Sequence, residues 1–218
     1  MITLRQAKWT TEVIALVLVA AGLTGCGIEG SATIGREART ISGVRAVELT
    51  GDAQLSIVQT GAESLTVVTD DNLLDHISSD VVNGTLVLEV DGMIDPSDGI
   101  AYELTVADLE KVTVTGSGSV DMTDLATPRL DVSISGSGTV SAAGSATSQA
   151  VDIGGSGHYD GSELTSTTAT VDISGSGTAT VHVRDLLDVD VAGSGAVTYH
   201  GEPTVNQHAS GAGHVAKG

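Results

Sequence analysis

Three aspartates, Asp152, Asp172 and Asp190, recur at intervals of 20 and 18 residues, each three positions ahead of a Gly-Ser-Gly triplet. If the chain stacks these positions, the carboxylates form a column able to hold a hard divalent cation such as Ca²⁺ through oxygen ligands. The alternative is a solvated acidic face that discourages association. The same offset is occupied by Thr113 and Ser133 before them and by His208 after them. Ser117, Ser137, Ser156, Ser176 and Ser194 each sit between two glycines. A nucleophile elbow needs Gly-x-Ser-x-Gly between a strand and a helix, with a histidine and an acid converging on the serine. Here glycine flanks the serine directly and no helical pattern follows, so these residues read as corner hydroxyls that bond along a stack. His182 and His200 share an offset of seven after their glycines, but two imidazoles without a third ligand make a poor transition-metal site. Gly154 to Asp160 superficially matches a calcium-binding nonapeptide, yet Asp160 falls one residue late and the period is twice too long. No catalytic residue emerges.

The one cysteine has a different chemistry. Arg5 and Lys8 precede a nearly unbroken apolar run from Val13 to Leu23, and the run ends in Leu23-Thr24-Gly25-Cys26. That run is too short to span a bilayer and suits the apolar region of a signal peptide, although Glu12 sits just before it. Small residues ahead of the cysteine allow an extended fit in a peptidase groove. The pattern resembles the bacterial lipobox, which implies a thioether-linked diacylglycerol on Cys26 and cleavage in front of it. Residues 1–25 are then a signal peptide, and the protein is exported and lipid-anchored, facing away from the cytoplasm. A lone cysteine also excludes an internal disulfide framework.

Composition narrows the architecture. Aromatics are 2% of the 218 residues and phenylalanine is absent, while apolar residues reach 40% and glycines number 28. Such a chain buries thin layers of Val, Ile and Leu and turns on glycine. The formal charge is −19. Removal of residues 1–25, which carry Arg5, Lys8 and Glu12 and hence a net +1, leaves −20 on the mature chain. A surface of that sign repels nucleic acid and anionic lipid.

The elements that must position the aspartates follow from the repeat. Triplets begin at Gly116, Gly136, Gly155, Gly175 and Gly193, with Gly211-Ala212-Gly213 as a sixth. Two residues ahead stand Val114, Ile134, Ile153, Ile173, Val191 and Ala209, and four ahead stand Val112, Val132, Val151, Val171, Val189 and Gln207. Four after the first glycine stand Val120, Val140, Tyr159, Ala179, Val197 and Val215. Alternation of this kind is a strand with one buried face, and glycine permits the corner. A period near 19 residues is one rung of a parallel β-helix, with rungs about 4.8 Å apart. The expected fold is therefore all-β, a right-handed parallel solenoid over residues 100–218. A smaller β-rich part over 41–95 precedes it, and residues 26–40 form a tether. Within 41–95, Asp71 to Ile77 is the one short helix candidate, with Asp or Asn as its cap, and Asn83-Gly84 marks a hairpin. Met93 to Gly99 reads as a dividing loop. Gln207 and Ala209 suit a terminal rung that faces water.

The triplets, Asp71-Asn72-Leu73-Leu74-Asp75 and Asn83-Gly84-Thr85-Leu86 resemble the auto-transporter adhesin head, or GIN-domain, family over about Ile41 to Val215. The resemblance implies a secreted or lipid-anchored β-helix with an adhesive role and carries no catalytic residues across. The function expected is a non-catalytic envelope protein that contacts the membrane through its lipid and binds an envelope or extracellular protein or glycan through its solenoid face. Alternatives are a carbohydrate-active lyase or hydrolase using Asp152, Asp172 and Asp190, and a passive surface spacer. Near-constant rung length leaves little chain for a cleft and favours binding.

Overall fold

The computed structural model describes residues 27–218. Residues 1–25, expected from the sequence to be a signal peptide, and Cys26 lie outside the described residues.

The first half of the chain forms β1 (Ile28–Glu29), β2 (Ile34–Arg39), β3 (Ala46–Gly51), β4 (Gln54–Gln59), β5 (Ser64–Asp70), a 3₁₀ helix (Asp71–His76), β6 (Ile77–Val82), β7 (Thr85–Val90), β8 (Ile94–Asp95) and β9 (Ala101–Val106). The second half forms β10 (Lys111–Gly116), β11 (Ser119–Gly136), β12 (Thr139–Gly155), β13 (His158–Gly175), β14 (Thr178–Gly193), β15 (Ala196–His200), β16 (Thr204–Gly211) and β17 (His214–Lys217). Strands of 16 to 18 residues, β11 to β14, each run through a whole turn between one Gly-Ser-Gly corner and the next. The fold is all-β, a parallel solenoid.

Register is what the repeat demands. Val112, Val132, Val151, Val171 and Val189 are successive partners, as are Val114, Ile134, Ile153, Ile173 and Val191, and all are buried. Beyond the corner, Val120, Val140, Tyr159, Ala179, Val197 and Val215 continue the inner column. Gln207 and Ala209 pair with Val189 and Val191 on the last rung, where β16 is largely exposed.

Two glycines per corner are needed for two reasons. At Gly175 φ is +146°, and a Cβ there would lie 2.3 Å from the Gly155 carbonyl oxygen. That same oxygen accepts the Ser176 N–H at 2.8 Å, so the carbonyl cannot retreat without losing the bond between rungs. Gly177 has ordinary φ, but a Cβ would meet Ile153 Cγ2 at 2.6 Å; its missing side chain is where the isoleucine of an earlier rung packs. The hydroxyls expected to bond along the stack do not. The corner serines are exposed, and among the described residues it is their backbone N–H groups that form the ladder.

The stack begins earlier than the triplets suggest. β3 pairs with β10 and β4 with β11, so that Gly51 opposes Gly116, Val47 opposes Val112 and Leu55 opposes Val120. Gly51-Asp52-Ala53 is thus a first corner without the full motif. Next to this level the parallel order gives way to antiparallel strands. β7 lies parallel on β3 with β6 antiparallel beyond it, and β9 lies parallel on β4 with β5 and then β2 antiparallel beyond it. The expected Asn83-Gly84 hairpin joins β6 to β7, with φ of 52° and 81°, the left-handed pair that suits a two-residue turn.

Two local expectations are corrected. The helix forms as a short 3₁₀ turn, but Asp70 at its N-cap makes no capping bond. The buried Asp70 carboxylate instead accepts the Ser97 N–H and hydroxyl, both at 2.7 Å. Nor are residues 26–40 a tether where they are described. β1 pairs parallel with β8, and β2 pairs antiparallel with β5 over its whole length. The backbone of this segment finds partners in β8 and β5, a non-local pairing that no period announces.

Gly175→Val is expected to lower stability by more than about 1 kcal/mol, because strain and a carbonyl clash coincide in mid-stack. Gly211→Val, at φ +101° on the exposed last rung, should cost less because that rung can shift. Denaturant midpoints of the two variants against the parent check the order; equal and negligible losses would contradict the corner geometry.

Candidate functional site: an acidic ladder on the solenoid wall

Residues three positions ahead of each corner point away from the core because their neighbours on both sides point in. In this outward column Thr113 pairs with Ser133, Ser133 with Asp152, Asp152 with Asp172, Asp172 with Asp190, and Asp190 with His208. The three aspartates named from the sequence are therefore direct neighbours on β12, β13 and β14, and all three are exposed. Asp172, in the middle, has its carboxyl pushed above the ordinary 3.8, first by partial burial and then by the charges of Asp152 and Asp190 on either side.

Beside this column stand two further acids that sequence reading missed, Asp131 and Asp188, three rungs apart with Ala150 and Thr170 between them. Asp131 stands two residues ahead of Ser133 and Asp188 two ahead of Asp190, on the same face of their strands. Arg129 pairs with Asp131 at 2.8 Å, and the Asn206 amide donates to Asp188 at 2.8 Å. Two shallow depressions meet at Asp172. One of about 330 Å³ extends toward Asp190 and His208, and one of about 200 Å³ toward Asp152 and Lys111. Together they make an open groove along the stack. The wall lines its acids up without converging them: among the described residues no three His, Cys, Asp or Glu side chains form a group that could hold a metal ion.

The remaining candidates are placed as follows. His182 and His200 are register partners with ring centroids 6.4 Å apart, edge to face. His158 shares a 2.6 Å hydrogen bond with the Thr178 hydroxyl, and Asp160 accepts the Ser162 N–H at 3.1 Å, so the segment compared with a calcium nonapeptide closes on its own neighbours. Each Gly-Ser-Gly is followed by a strand, which is not the setting of a nucleophile elbow. A depression of about 910 Å³ lies at the opposite end, between the Gly51 corner and the loop around Met93. No helix among the described residues is long and apolar enough to cross a membrane.

One buried polar chain was also invisible in the sequence. The Tyr159 hydroxyl donates to Gln149 Oε1 at 2.9 Å, Gln149 Nε2 donates to Ser166 at 2.8 Å, and the Ser166 hydroxyl donates to the His182 carbonyl at 3.2 Å. Gly161 leaves room for the tyrosine ring, since a Cβ there would sit 2.7 Å from it. Burial pushes the Tyr159 phenol well above its usual range. Every member of the chain is bonded, and it lies inside the stack, away from the groove.

Comparison with known proteins agrees with this architecture. The family described as "Putative auto-transporter adhesin, head GIN domain" matches residues 45–203. The chain belongs to that family. The GIN-domain match takes in the first corner, most of the antiparallel end and the five Gly-Ser-Gly triplets from Gly116 to Gly195, and leaves out β1, β2 and the Gly211 corner. Among solved structures, a putative adhesin from Bacteroides fragilis has 21% identity and a TM-score of 0.72, covering 88% of this chain and all of that one. A putative lipid binding protein from Parabacteroides distasonis has 20% identity and a TM-score of 0.58, with 88% and 100% coverage. A putative adhesin from Parabacteroides merdae has 19% identity and a TM-score of 0.54, with 88% and 99% coverage. At these identities the likeness is one of fold. No curated protein matches the chain.

The ladder gives a pH prediction with a definite sign. Because the folded-state pKa of Asp172 lies above 3.8, protonation favours the folded state. That contribution is complete below the unfolded value and is lost as pH rises through the folded one. Asp172→Asn should therefore stabilise the fold at neutral pH by about 0.5 kcal/mol or less, because the group is screened by water, and raise the thermal midpoint accordingly. The gain should vanish below pH 3.8 and shrink with added salt. Melting curves across pH and salt check it; a variant less stable at neutral pH would show that Asp172 is held by a favourable contact.

Proposed function

We propose that the mature chain is exported, is held on a bacterial membrane by a lipid on Cys26, and binds an envelope or extracellular partner along its acidic wall without turning it over. The observation that carries this reading is the residue-for-residue register of β10 to β16 on the ladder side, which leaves an open groove instead of a cleft. A partner laid along such a face makes many repeated weak contacts, one set per rung. The adhesin description of the family supports the same direction. Anchoring rests on the lipobox-like Leu23-Thr24-Gly25-Cys26. Expression of Cys26→Ser with radiolabelled palmitate should abolish the label and leave the uncleaved precursor; retained label would end the anchoring reading.

Partner chemistry separates by salt. A basic protein held by a surface of charge −20 should bind more weakly as ionic strength rises, whereas a glycan should respond little. Capture from envelope extract by the immobilised mature domain, repeated across a salt series, provides the measurement. A panel of polysaccharides and glycosides incubated with the same protein tests turnover; a product absent with the triple variant Asp152→Asn, Asp172→Asn, Asp190→Asn would replace binding by catalysis.

The stacked carboxylates also suit a divalent counter-ion held by charge, with Asp152, Asp172 and Asp190 each offering oxygen. Millimolar Ca²⁺ at low ionic strength is expected to raise the melting temperature of the parent, through preferential binding to the folded state, and to leave the triple Asn variant unchanged. Equal responses in both proteins would remove the ion from the ladder.

A further inference from the structure

We infer that the end of the solenoid around Ile28 and Met93 rests in the interfacial layer of the membrane, an apolar foot beside the lipid-bearing residue. The inference depends on the anchoring reading above and adds to it where the body stands. Four large apolar side chains are markedly exposed among the described residues: Ile28, Ile34, Val82 and Met93. Ile28 and Met93 are neighbours, since the Ile28 N–H donates to the Met93 carbonyl at 2.9 Å and β1 pairs with β8 from Ile28↔Ile94 onward. Met93 is the most exposed of the four, at 67%.

Chain length decides what covers this pair. Gly27 packs against the Met93 carbonyl, where a Cβ would come within 3.3 Å, so the body begins one residue after Cys26. Two residues of extended chain span about 7 Å at most. The polar layer on each side of a bilayer is about 5–7 Å deep. A diacylglycerol on Cys26 therefore holds Ile28 and Met93 at or within about the outer edge of that layer. Their apolar surface gains by entering it, and covalent attachment offsets the low affinity of two side chains alone. Glu29, Asp91 and Asp95 are exposed around the foot, which fits a zwitterionic surface better than an anionic one.

The geometry also fixes which end points away. The corner column Gly51, Gly116, Gly136, Gly155, Gly175, Gly193 and Gly211 rises from this end. Six steps of about 4.8 Å carry the last rung about 29 Å along the stack.

The only tryptophan, Trp9, lies in the cleaved segment, so a single introduced indole reports on one place. Met93→Trp and His214→Trp are both at exposed positions and disturb no buried contact. Each lipidated protein is reconstituted in phosphatidylcholine vesicles brominated near the headgroup end of the acyl chains. Met93→Trp should lose fluorescence relative to unbrominated vesicles, and His214→Trp on the last rung should lose none. Absence of quenching at Met93, with the protein still floating with the vesicles, would overturn the foot while leaving the anchor intact. Equal quenching at both positions would mean the solenoid lies on its side, and would overturn it too. Failure of the lipidated parent to float, or flotation of Cys26→Ser to the same extent, would sink the anchoring reading itself.

Discussion

Each corner glycine carbonyl accepts a backbone N–H from the serine or alanine of the next rung, and that contact sets everything else. It holds consecutive corners so close that the first glycine has no space for a Cβ, as at Gly175 over Gly155. With corners locked in line, each residue counted from a corner must stack on its equivalent in the next rung. The valine and isoleucine columns then fill the interior with few aromatic rings, because side chains from facing walls meet across only about 10 Å, the spacing of packed sheets. The shortage of aromatics is a consequence of that thin interior. Two rings do enter, Tyr102 and Tyr159; at Tyr159 the chain gives way twice, with Gly161 beside it and Ala179 on the next rung.

Stacking by equivalence has an electrostatic consequence. A position that is acidic in successive repeats becomes a column of like charges, and Asp152, Asp172 and Asp190 cannot be separated without breaking register. Their mutual repulsion is modest in water, about 1 kcal/mol for a pair before screening, and is small against the backbone ladder that imposes it. The fold thus tolerates a surface feature that opposes its own stability slightly. The buried chain from Tyr159 through Gln149 and Ser166 follows the opposite rule: inside the stack every polar atom must be partnered, because water is not available to do so.

What the sequence made legible is what repeats. The triplets and the alternation around them gave the columns, the corners and the ladder, and Asn83-Gly84 gave the hairpin from a local conformational demand. What stayed hidden was held by non-local pairing. Gly51-Asp52-Ala53 works as a corner because β3 and β4 lie against β10 and β11. Ala53, buried, stands where the later corners have their second glycine, and no motif search for Gly-Ser-Gly would find it. Gly27 to Thr40 lacks a period because each of its strands pairs with a different, distant partner, β8 and β5. Asp70 sits where a helix cap belongs, yet its carboxylate turns to Ser97, a contact 27 residues away. The corner serines mislead in the other direction: their invariant position suggests a hydroxyl ladder, and the backbone supplies it instead.

Charge and shape together constrain how such molecules sit beside one another. Residues 201–218 carry only Glu202 and Lys217 as fixed charges, and these two form an ion pair. The whole charge of −20 therefore belongs to residues 27–200, on the walls and the first-corner end. Two solenoids meeting by their ladder walls would bring the two Asp152–Asp172–Asp190 columns face to face, and repulsion between them acts within about 8 Å at physiological ionic strength. Approach along the stack axis at the last rung meets no such barrier. On the wall that carries it, the Asp152–Asp172–Asp190 ladder opposes sheet-to-sheet association, as lysines and bulges do on ordinary edge strands. That wall is left free for partners whose charge or polarity complements it.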